Sequence, residues 1–219
     1  MAYSFPLSIA QFMDKLPIHA ISLDLTEAVE MSETGGGEIL TAELGARLWR
    51  GRIDLADMTP DEAADVLPLI DILRRPGASF MVHDASRPGP RLDADGATLG
   101  AAIPVLSQVA SNNRDIRLTG LPPNYRLRPH DWIGFSYGSN PLRLALHRGV
   151  TAVQASAIGA IAGWWEITPH IRPGFATGTA VTLVKASCKA VIVPKSVRAG
   201  QRQATLTRGV SFEFIQTLR

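Results

Sequence analysis

Hydrophobic and polar residues alternate with a period of two over most of this chain, which is the pattern of half-buried β-strands. Residues 21–25 (ISLDL) and 210–214 (VSFEF) place an apolar side chain at every second position. A longer run with the same period covers Glu38–Leu55, and its apolar face changes part-way along. We therefore predict a strand near each end of the chain and a long hairpin over Glu38–Leu55, with a turn or bulge near Gly45 or Gly51.

Two segments instead have the helical period and helix-end signals. The first, residues 8–16, begins with Ser8 and Gln11 in the spacing of a capping box and is followed by a proline. The second begins with Thr59-Pro-Asp-Glu, which combines an N-cap, a proline at the first helical position and acids in the first turn. A Pro-Gly pair after Arg75 ends it. We predict a short helix over 8–16 and a longer one over 59–75.

The second half of the chain predicts a separate group of short strands. The pattern changes between Asp84 and about Ser111, where residues 86–100 (SRPGPRLDADGATLG) are rich in Pro, Gly and Asp and predict a loop or linker that leaves the first sheet. Turn signals separate the strands predicted after it, which are Asp115–Leu118, Trp132–Tyr137, Leu142–His147, Trp164–Thr168, Thr179–Val184 and Lys189–Val193. Many short strands with regular turns indicate a sandwich or small barrel, and the absence of a strand–helix–strand repeat disfavours a doubly wound fold.

Composition narrows the function classes. The 219 residues are 46% hydrophobic and 19% charged with a net charge of +2, which is typical of a globular protein and too balanced for one that coats DNA by charge. The single cysteine excludes a disulfide framework and multi-cysteine zinc sites. There is no apolar run of membrane-spanning length and no basic segment before the first apolar residues, so we expect neither membrane insertion nor a secretory signal.

The charge is divided unevenly along the chain. Residues 1–71 contain 4 basic and 13 acidic residues, whereas residues 72–219 contain 18 basic and 7 acidic. Two interpretations stay open: the halves neutralise each other within one molecule, or the acidic surface of one copy meets the basic surface of the next in a ring or stack. Nucleic-acid binding is a third, but the basic residues are spread singly and form no recognised binding motif.

One motif resembles a hydrolase signature. Gly134-Phe-Ser-Tyr-Gly138 matches G-x-S-x-G, in which a sharp strand-to-helix turn exposes the serine. Here the flanking alternation puts Ser136 on the polar side of a strand, and another strand follows the turn. The only partners downstream are Glu166 with His147 or His170. We expect no catalytic residues here and interpret the chain as a protein that is not an enzyme.

Candidate ligand-binding signals are also weak. Asp93-Ala-Asp95-Gly96 resembles the start of a calcium loop, but residue 104 is proline where the closing glutamate belongs, so we expect a solvated turn. Residues 35–37 (GGG) lack the lysine and helix of a phosphate loop and predict a hairpin tip. The histidines, for which we expect ordinary surface or core roles, are His19, His83, His130, His147 and His170. Cys188 is expected to be a buried small hydrophobe. We predict no metal or cofactor site.

Adjacent tryptophans suggest one surface aromatic. Trp164 and Trp165 point to opposite faces of one strand, so one fills a core and the other lies in an interface, a second core or water. A carbohydrate-binding β-sandwich module is therefore an alternative function. Its exposed aromatics would be Trp132, Trp164, Trp165 or Tyr137.

Three stretches together resemble a known family. They are Gly35–Asp84, with a central tryptophan, a capped helix and a strand ending in F-x-x-x-D; Ile116–Phe135 (IRLTGLPPNYRLRPHDWIGF); and the last strand, SFEFIQTL. Their order resembles the distal tail proteins of long-tailed bacteriophages and related gene transfer agents. One departure is His130-Asp131, which stands where a Gly-Asp turn would be usual.

The resemblance implies a mainly β protein: a ring-forming β-sandwich with one flanking helix, plus a smaller inserted β-barrel-like domain. Residues 1–84 together with 195–219 would form the ring domain, and residues 85–194 the outer domain. The implied function is that of a structural virion protein, a hexameric ring at the tail tip that joins the tail tube to the baseplate hub and leaves a channel for DNA.

The implied partners are other copies of this chain, the tail tube protein and the baseplate hub protein, with side fibres or receptor-binding proteins on the outer domain. DNA would pass through without sequence-specific binding. The implied location is the virion tail tip, after assembly in the host cytoplasm. Other tail subunits (tube, terminator or hub) remain alternatives, although a tube subunit would need no second barrel.

Overall fold

The chain is built mainly from strands, as its two-residue periodicity predicts. The structure, a computed structural model, describes residues 3–219, with 40% of the chain in strands and 8% in helices. The helices are a short 3-10 helix, η1 (Met13–Lys15), and α1 (Pro60–Leu73). The strands are β1 (Ile18–Leu25), β2 (Val29–Glu33), β3 (Ile39–Glu43), β4 (Trp49–Leu55), β5 (Phe80–His83), β6 (Val105–Val109), β7 (Asp115–Thr119), β8 (Arg126–Leu127), β9 (Trp132–Tyr137), β10 (Arg143–Gly149), β11 (Val153–Gln154), β12 (Trp165–Thr168), β13 (Val181–Thr182), β14 (Ser187–Ile192), β15 (Arg198–Arg202) and β16 (Thr207–Gln216). The fold class is a β-sandwich with one flanking helix plus a smaller barrel-like unit.

The first sheet is antiparallel and has the order β1-β4-β16-β14-β5, with β15 pairing to the free part of β16. Its two central strands show why the alternation predicts them. Ile53 lies opposite Phe212, and Phe214 lies opposite Gly51, so these side chains share one face and are fully buried. The other face carries Arg50 and Arg52 and is open. The sheet therefore has one core face and one polar face.

A glycine is required at the centre of this sheet. The ring of Phe214 lies over Gly51, so that a Cβ at residue 51 would sit 2.6 Å from that ring and 1.9 Å from the backbone oxygen of Ser22. Both distances are shorter than any van der Waals contact. Gly51 thus marks a close backbone approach inside a strand, and not the turn or bulge that the sequence predicts near it.

The helix α1 covers part of the core face. Its capping box is formed: the hydroxyl of Thr59 accepts from the Glu62 amide at 3.3 Å, and the Glu62 carboxylate accepts from the Thr59 amide at 2.8 Å. The Thr59 amide foremost, and the Thr59 hydroxyl that donates to the same carboxylate at 3.0 Å, lower the pKa of Glu62. One stripe of α1 is buried, namely Ala63, Val66, Leu69, Ile70 and Leu73. The predicted helix is confirmed to within two residues.

The earlier helix prediction is wrong in extent. The predicted box between Ser8 and Gln11 does form, with bonds of 3.0 and 3.2 Å. Only a turn and the three-residue η1 follow it, because Pro17 ends the segment before a second helical turn can repay the cost of nucleation. The apolar residues of the segment still reach the core, where Phe12 contacts Phe80 edge-on at 4.9 Å.

The second unit is a barrel-like sheet with the order β13-β9-β10-β12-β7-β6. Its ends approach each other: the amide of Leu106 donates to Thr179 at 2.9 Å, and Val105 and Ala180 form a bridge. The strands β8 and β11 form a small separate sheet beside it. The unit has its own core, which contains Leu106, Ile116, Leu118, Ile133, Phe135 and Trp165.

The predicted hairpin over Glu38–Leu55 is wrong. Its two halves belong to different sheets, because β3 pairs with β2 whereas β4 pairs with β1 and β16. The hairpin is instead β2–β3, and residues 35–37 form its tip, as predicted. The face change in the sequence marks the passage from this hairpin into the central sheet.

The boundary of the second unit also differs from the sequence prediction. The strand β14 lies within the predicted outer range 85–194, yet it pairs with β5 and β16 in the first sheet. The position of β14 in the chain does not decide its sheet. It lies between β5 and β16 and forms backbone hydrogen bonds with an edge of each. In addition, five short strands were not predicted, namely β2, β6, β8, β11 and β15.

Candidate functional site

The two units meet through a hydrogen-bonded junction at β10. Trp49 is fully buried, and its indole Nε1 donates to the carbonyl of Leu146 at 2.7 Å. Gln216 accepts from the Trp49 amide at 3.2 Å and donates to the carbonyl of Leu144 at 3.4 Å. Leu144 and Leu146 are two residues apart on β10, so their carbonyls point to the same strand edge. Side chains of the first unit therefore supply hydrogen-bond donors to carbonyls on one edge of β10. The strand β12 pairs with that edge only further along, at Arg148 and Gly149.

Aromatic and charged groups reinforce this junction. Trp132 contacts Trp49 edge-on at 4.9 Å, and the guanidinium of Arg148 lies 5.4 Å from the Trp49 ring and 5.7 Å from the Trp132 ring. The indole of Trp132 donates to Asp84 at 3.0 Å. Asp84 directly follows β5 of the first sheet, so the Trp132 indole connects the start of the insertion to β9. The aromatic rings of the junction pack together, and the polar groups named here are hydrogen-bonded. Such contacts fix the position of one unit relative to the other.

The β9–β10 ribbon is buried on both faces. Ile133, Phe135 and Tyr137 point into the barrel core, whereas Trp132 and Leu146 point into the core of the first unit. The alternation predicts the first set. The second set was missed because Ser136 lies on the same face as Trp132 and gives that face the pattern of a solvated side.

Ser136 does not meet the histidine that sequence position offers it. It lies opposite Leu144 in the β9–β10 ladder, whereas His147 lies opposite Ile133, so the two side chains point to opposite faces of the ribbon. A turn at Gly138 and then β10 follow Ser136, as predicted, and not the helix of a nucleophile elbow. The elbow geometry is absent from this ribbon.

The buried histidines are held neutral. His147 is buried, its Nδ1 lies 2.8 Å from the carbonyl oxygen of Pro169, and its ring stacks on Phe135. Burial, with help from the nearby Arg172 charge, lowers the pKa of His147 to about 4, against the opposing effect of the Pro169 carbonyl. Burial also lowers the pKa of His83. Neither has an acid partner in a catalytic arrangement among residues 3–219.

The remaining histidines have other surroundings. His19 is exposed, and His170 accepts from Arg114 at 2.6 Å. His130 has a φ of 77° at the turn where the family resemblance leads one to expect glycine. The backbone thus keeps the left-handed conformation that glycine favours, at a cost in strain.

The predicted acidic turn is present and is exposed at Asp95, whereas Asp93 is not solvated and has a structural role. Asp93 is buried, and its carboxylate accepts from the amides of Thr98 and Leu99, each at 2.8 Å, and from the hydroxyl of Tyr125 at 2.9 Å. Burial alone would raise the pKa of Asp93, but these hydrogen bonds lower it overall. Its oxygens are engaged by internal donors. Cys188 is fully buried, as predicted, and burial raises the pKa of its thiol to about 12.

Three of the four aromatics proposed for sugar binding are buried. Trp132, Trp165 and Tyr137 are at most 5% exposed, so they cannot act as a stacking platform. Only Trp164 is accessible, at 43%, and the guanidinium of Arg117 lies over its ring at 4.3 Å. Of the four candidates only Trp164 is exposed, and the prediction that one of the two adjacent tryptophans fills a core while the other does not is confirmed.

A cleft of about 400 Å³ lies at the foot of the β2–β3 hairpin, between the two units. Arg47, His170 and Arg172 line it, and no carboxylate does so in the described chain. The guanidinium of Arg172 donates to the backbone carbonyl of Arg47 at 2.7 Å, and this hydrogen bond connects the two units. The cleft offers no acid–base pair.

The surface that stands out is the β2–β3 hairpin. All five residues of β2 are exposed, and the register puts Val29, Met31 and Ile39 on one face, at 41, 68 and 63% exposure. Exposed apolar groups on a projecting ribbon with glutamates between them resemble the core and rim of a protein–protein contact. The β2–β3 hairpin is thus the candidate functional surface.

Comparison with known proteins identifies no family for this chain. No protein-family model matches the chain, and no curated protein matches it at a significant level. No helix among residues 3–219 is both long and apolar enough to cross a membrane.

The sequence reasoning missed a second surface feature, the basic strand β15. It contains Arg198 and Arg202, all five of its residues are exposed, and Lys195 precedes it. The signal was present, since residues 167–212 contain no acid at all. It was overlooked because the basic residues are spaced by several neutral ones and only the strand geometry brings them together.

Proposed function

We propose that this chain is a structural protein of a phage-type tail: a distal tail adaptor, whose ring joins the tail tube to the baseplate hub and leaves a channel for DNA. Its partners are further copies of itself, the tube subunit and the hub subunit, and the second unit faces outward to hold side fibres or receptor-binding proteins. It acts by shape, at the virion tail tip, and turns over no substrate.

One observation carries the proposal, namely the way the second unit interrupts the first. The chain leaves the first sheet after β5, builds a barrel-like unit with its own core, and returns through β14, which pairs with β5. The final strand β16 then inserts at the centre of the first sheet. This is the organisation that the resemblance to distal tail proteins implies: a helix-flanked sheet closed by the C-terminal strand, with a barrel inserted.

The open face of the first sheet is consistent with a channel wall. Arg50 pairs with Glu213 and Arg52 with Asp54, each at 2.7 Å, so opposite charges neutralise each other on an exposed polar surface. A wall of paired charges lacks the excess of cations that retains a DNA duplex. Such a surface would let DNA pass.

The test is to locate the chain in particles. A tagged copy is expressed in a cell that produces the particles, and purified particles are imaged by cryo-electron microscopy with and without a label on the tag. We expect density for a ring at the junction of tube and hub, and tubes without tips when the gene is deleted.

Each other outcome contradicts the proposal in a defined way. Label along the whole tube would make the chain a tube subunit, and label at the head-proximal end a terminator. A chain absent from every particle would not be a tail component. In that case binding to a glycan array that is lost in Trp164→Ala would support the sugar-binding alternative.

A further inference from the structure

The β2–β3 hairpin forms an acidic arm, defined here as residues 27–43. Glu27, Glu30, Glu33 and Glu38 are exposed, and none forms an ion pair within residues 3–219. The sequence from Leu16 to Ala46 contains no lysine or arginine that could neutralise them. The arm thus combines unpaired negative charge with the exposed apolar face already described.

The β15 strand and its turn form a basic arm, defined here as residues 195–208. Lys195, Arg198 and Arg202 are exposed and without an acidic partner in the described chain, whereas Arg208 is held by Asp57 at 2.8 Å. Within the same residues, β15 pairs only with β16. Its other edge therefore presents free backbone donors and acceptors.

The register places the two arms at opposite ends of the first sheet. The acidic arm extends from the end of the β1–β4 pair where Leu25 lies opposite Trp49. The basic arm extends from the other end of β4, where Ser211 of β16 lies opposite Asp54 and Thr207 bridges to Met58. The seven residues of β4 span about 20 Å. The two arms thus lie at opposite ends of β4, and no ion pair joins them within the described residues.

We propose that the acidic arm of one copy docks on the basic arm of the next copy, in a head-to-tail contact. Charge complementarity selects this partner, because the chain itself carries both surfaces and leaves each unpaired. Two different surfaces in contact make a heterologous interface, which propagates from copy to copy until it closes as a ring. This contact deepens the proposed function, and the placement of the contact in a tail ring rests on that function.

The interface has the composition of a stable contact. Val29, Met31 and Ile39 supply an apolar centre on one face of the acidic arm, Glu33 shares that face, and Glu30 lies on the other face of the same hairpin. The outer edges of the β2–β3 hairpin are unpaired within residues 3–219, as is that of β15, so strand addition between copies can supply backbone hydrogen bonds. The charges then fix which edges meet and in which direction.

The test is a charge swap on purified protein. One variant carries Glu30→Lys and Glu33→Lys, the other Arg198→Glu and Arg202→Glu, and both sets are also combined in one chain. Masses are measured by light scattering over a concentration series at low and at high salt. We expect each variant alone to weaken association by about tenfold or more. A tenfold change corresponds to about 1.4 kcal/mol, and placing like charges opposite each other costs more free energy than that. The combined chain, and an equimolar mixture of the two variants, should restore it.

The matched control reverses two arginines on the other unit, Arg126→Glu and Arg128→Glu, which are also exposed. Its association should equal that of the wild-type protein. A second readout is a zero-length carbodiimide cross-link between Lys195 and glutamates of the acidic arm, found only between differently isotope-labelled copies.

Several results overturn the contact. These are a wild-type protein that remains monomeric and uncross-linked at its highest soluble concentration, a combined chain that stays as weak as its parents, or assemblies that stop at a two-fold dimer. Assembly that requires added DNA would instead assign the basic arm to nucleic acid. If rings form without rescue, this contact fails and the proposed function stands. If the combined charge swap restores association but purified particles lack the chain, the contact stands and the proposed function fails.

Discussion

Removing the Trp49 indole tests the junction between the two units. The side chain is fully buried, donates to the Leu146 carbonyl at 2.7 Å and contacts Trp132. Trp49→Ala is expected to lower the free energy of unfolding by about 3–5 kcal/mol, the range for deleting a buried large aromatic. Trp49→Phe keeps most of the apolar surface but leaves the Leu146 carbonyl without its donor, which costs about 1–3 kcal/mol.

The measurement is equilibrium unfolding in urea, followed by circular dichroism. Because domains of this kind are stable by only about 5–15 kcal/mol, Trp49→Phe, which loses less, is the variant to measure if Trp49→Ala unfolds. Trp164→Ala is the matched control: that indole is 43% exposed, and its stacking on Arg117 predicts a loss of only about 0.5–1 kcal/mol. Equal losses at the two tryptophans, both below about 1 kcal/mol, would refute the buried junction.

Three further predictions concern the core, pH and the helix cap. Gly51→Ala should destabilise the protein by more than about 2 kcal/mol in urea unfolding, because its Cβ would overlap the Ser22 backbone. Above pH 6.5 His147 is neutral in both folded and unfolded states. As the pH falls from 6.5 to about 4, the unfolded state takes up a proton that the folded state does not, so His147 should remove up to about 3 kcal/mol of stability in that window. Thr59→Ala should cost about 1 kcal/mol in thermal or urea unfolding, because it removes the oxygen that accepts from the Glu62 amide.

Each of these has its own control. Gly45→Ala adds the same methyl group in open space and should be nearly neutral, so equal effects at Gly45 and Gly51 would contradict the close approach. His147→Asn keeps an amide donor for the Pro169 carbonyl but cannot titrate. Stability curves of wild type and this variant that run parallel from pH 6.5 to 4 would disprove the role of His147. Thr59→Ser retains the cap and should restore the lost stability, and an alanine variant as stable as wild type would contradict the capping box.

The strands with one solvated face were predictable because alternation reports the two environments directly. The last strand is an example: Val210, Phe212 and Phe214 are buried as their spacing indicates. The helix α1 was predictable for a related reason, since its start signals act through the first turn alone. Local physics of this kind extends over only a few residues.

The candidate surface was only half predictable. Counting charges along the chain revealed the acidic and basic halves, but not that Arg198 and Arg202 share one exposed strand at the far end of the sheet from Glu30 and Glu33. That separation depends on the pairing of β4 with β16, residues more than 150 positions apart in the chain.

By itself, the sequence determined that this protein is mainly β, where its one long helix begins and ends, and which residues of its solvated strands face inward. Those properties follow from periods of two and 3.6 residues and from caps that act within one turn. Only the tertiary structure decided that β14 returns to the first sheet, that Trp132 belongs to the core of the first unit, and that Glu38–Leu55 divides between two sheets. Strand partners are chosen by burial and edge pairing summed over the whole molecule, and a local pattern satisfies several such partners equally well.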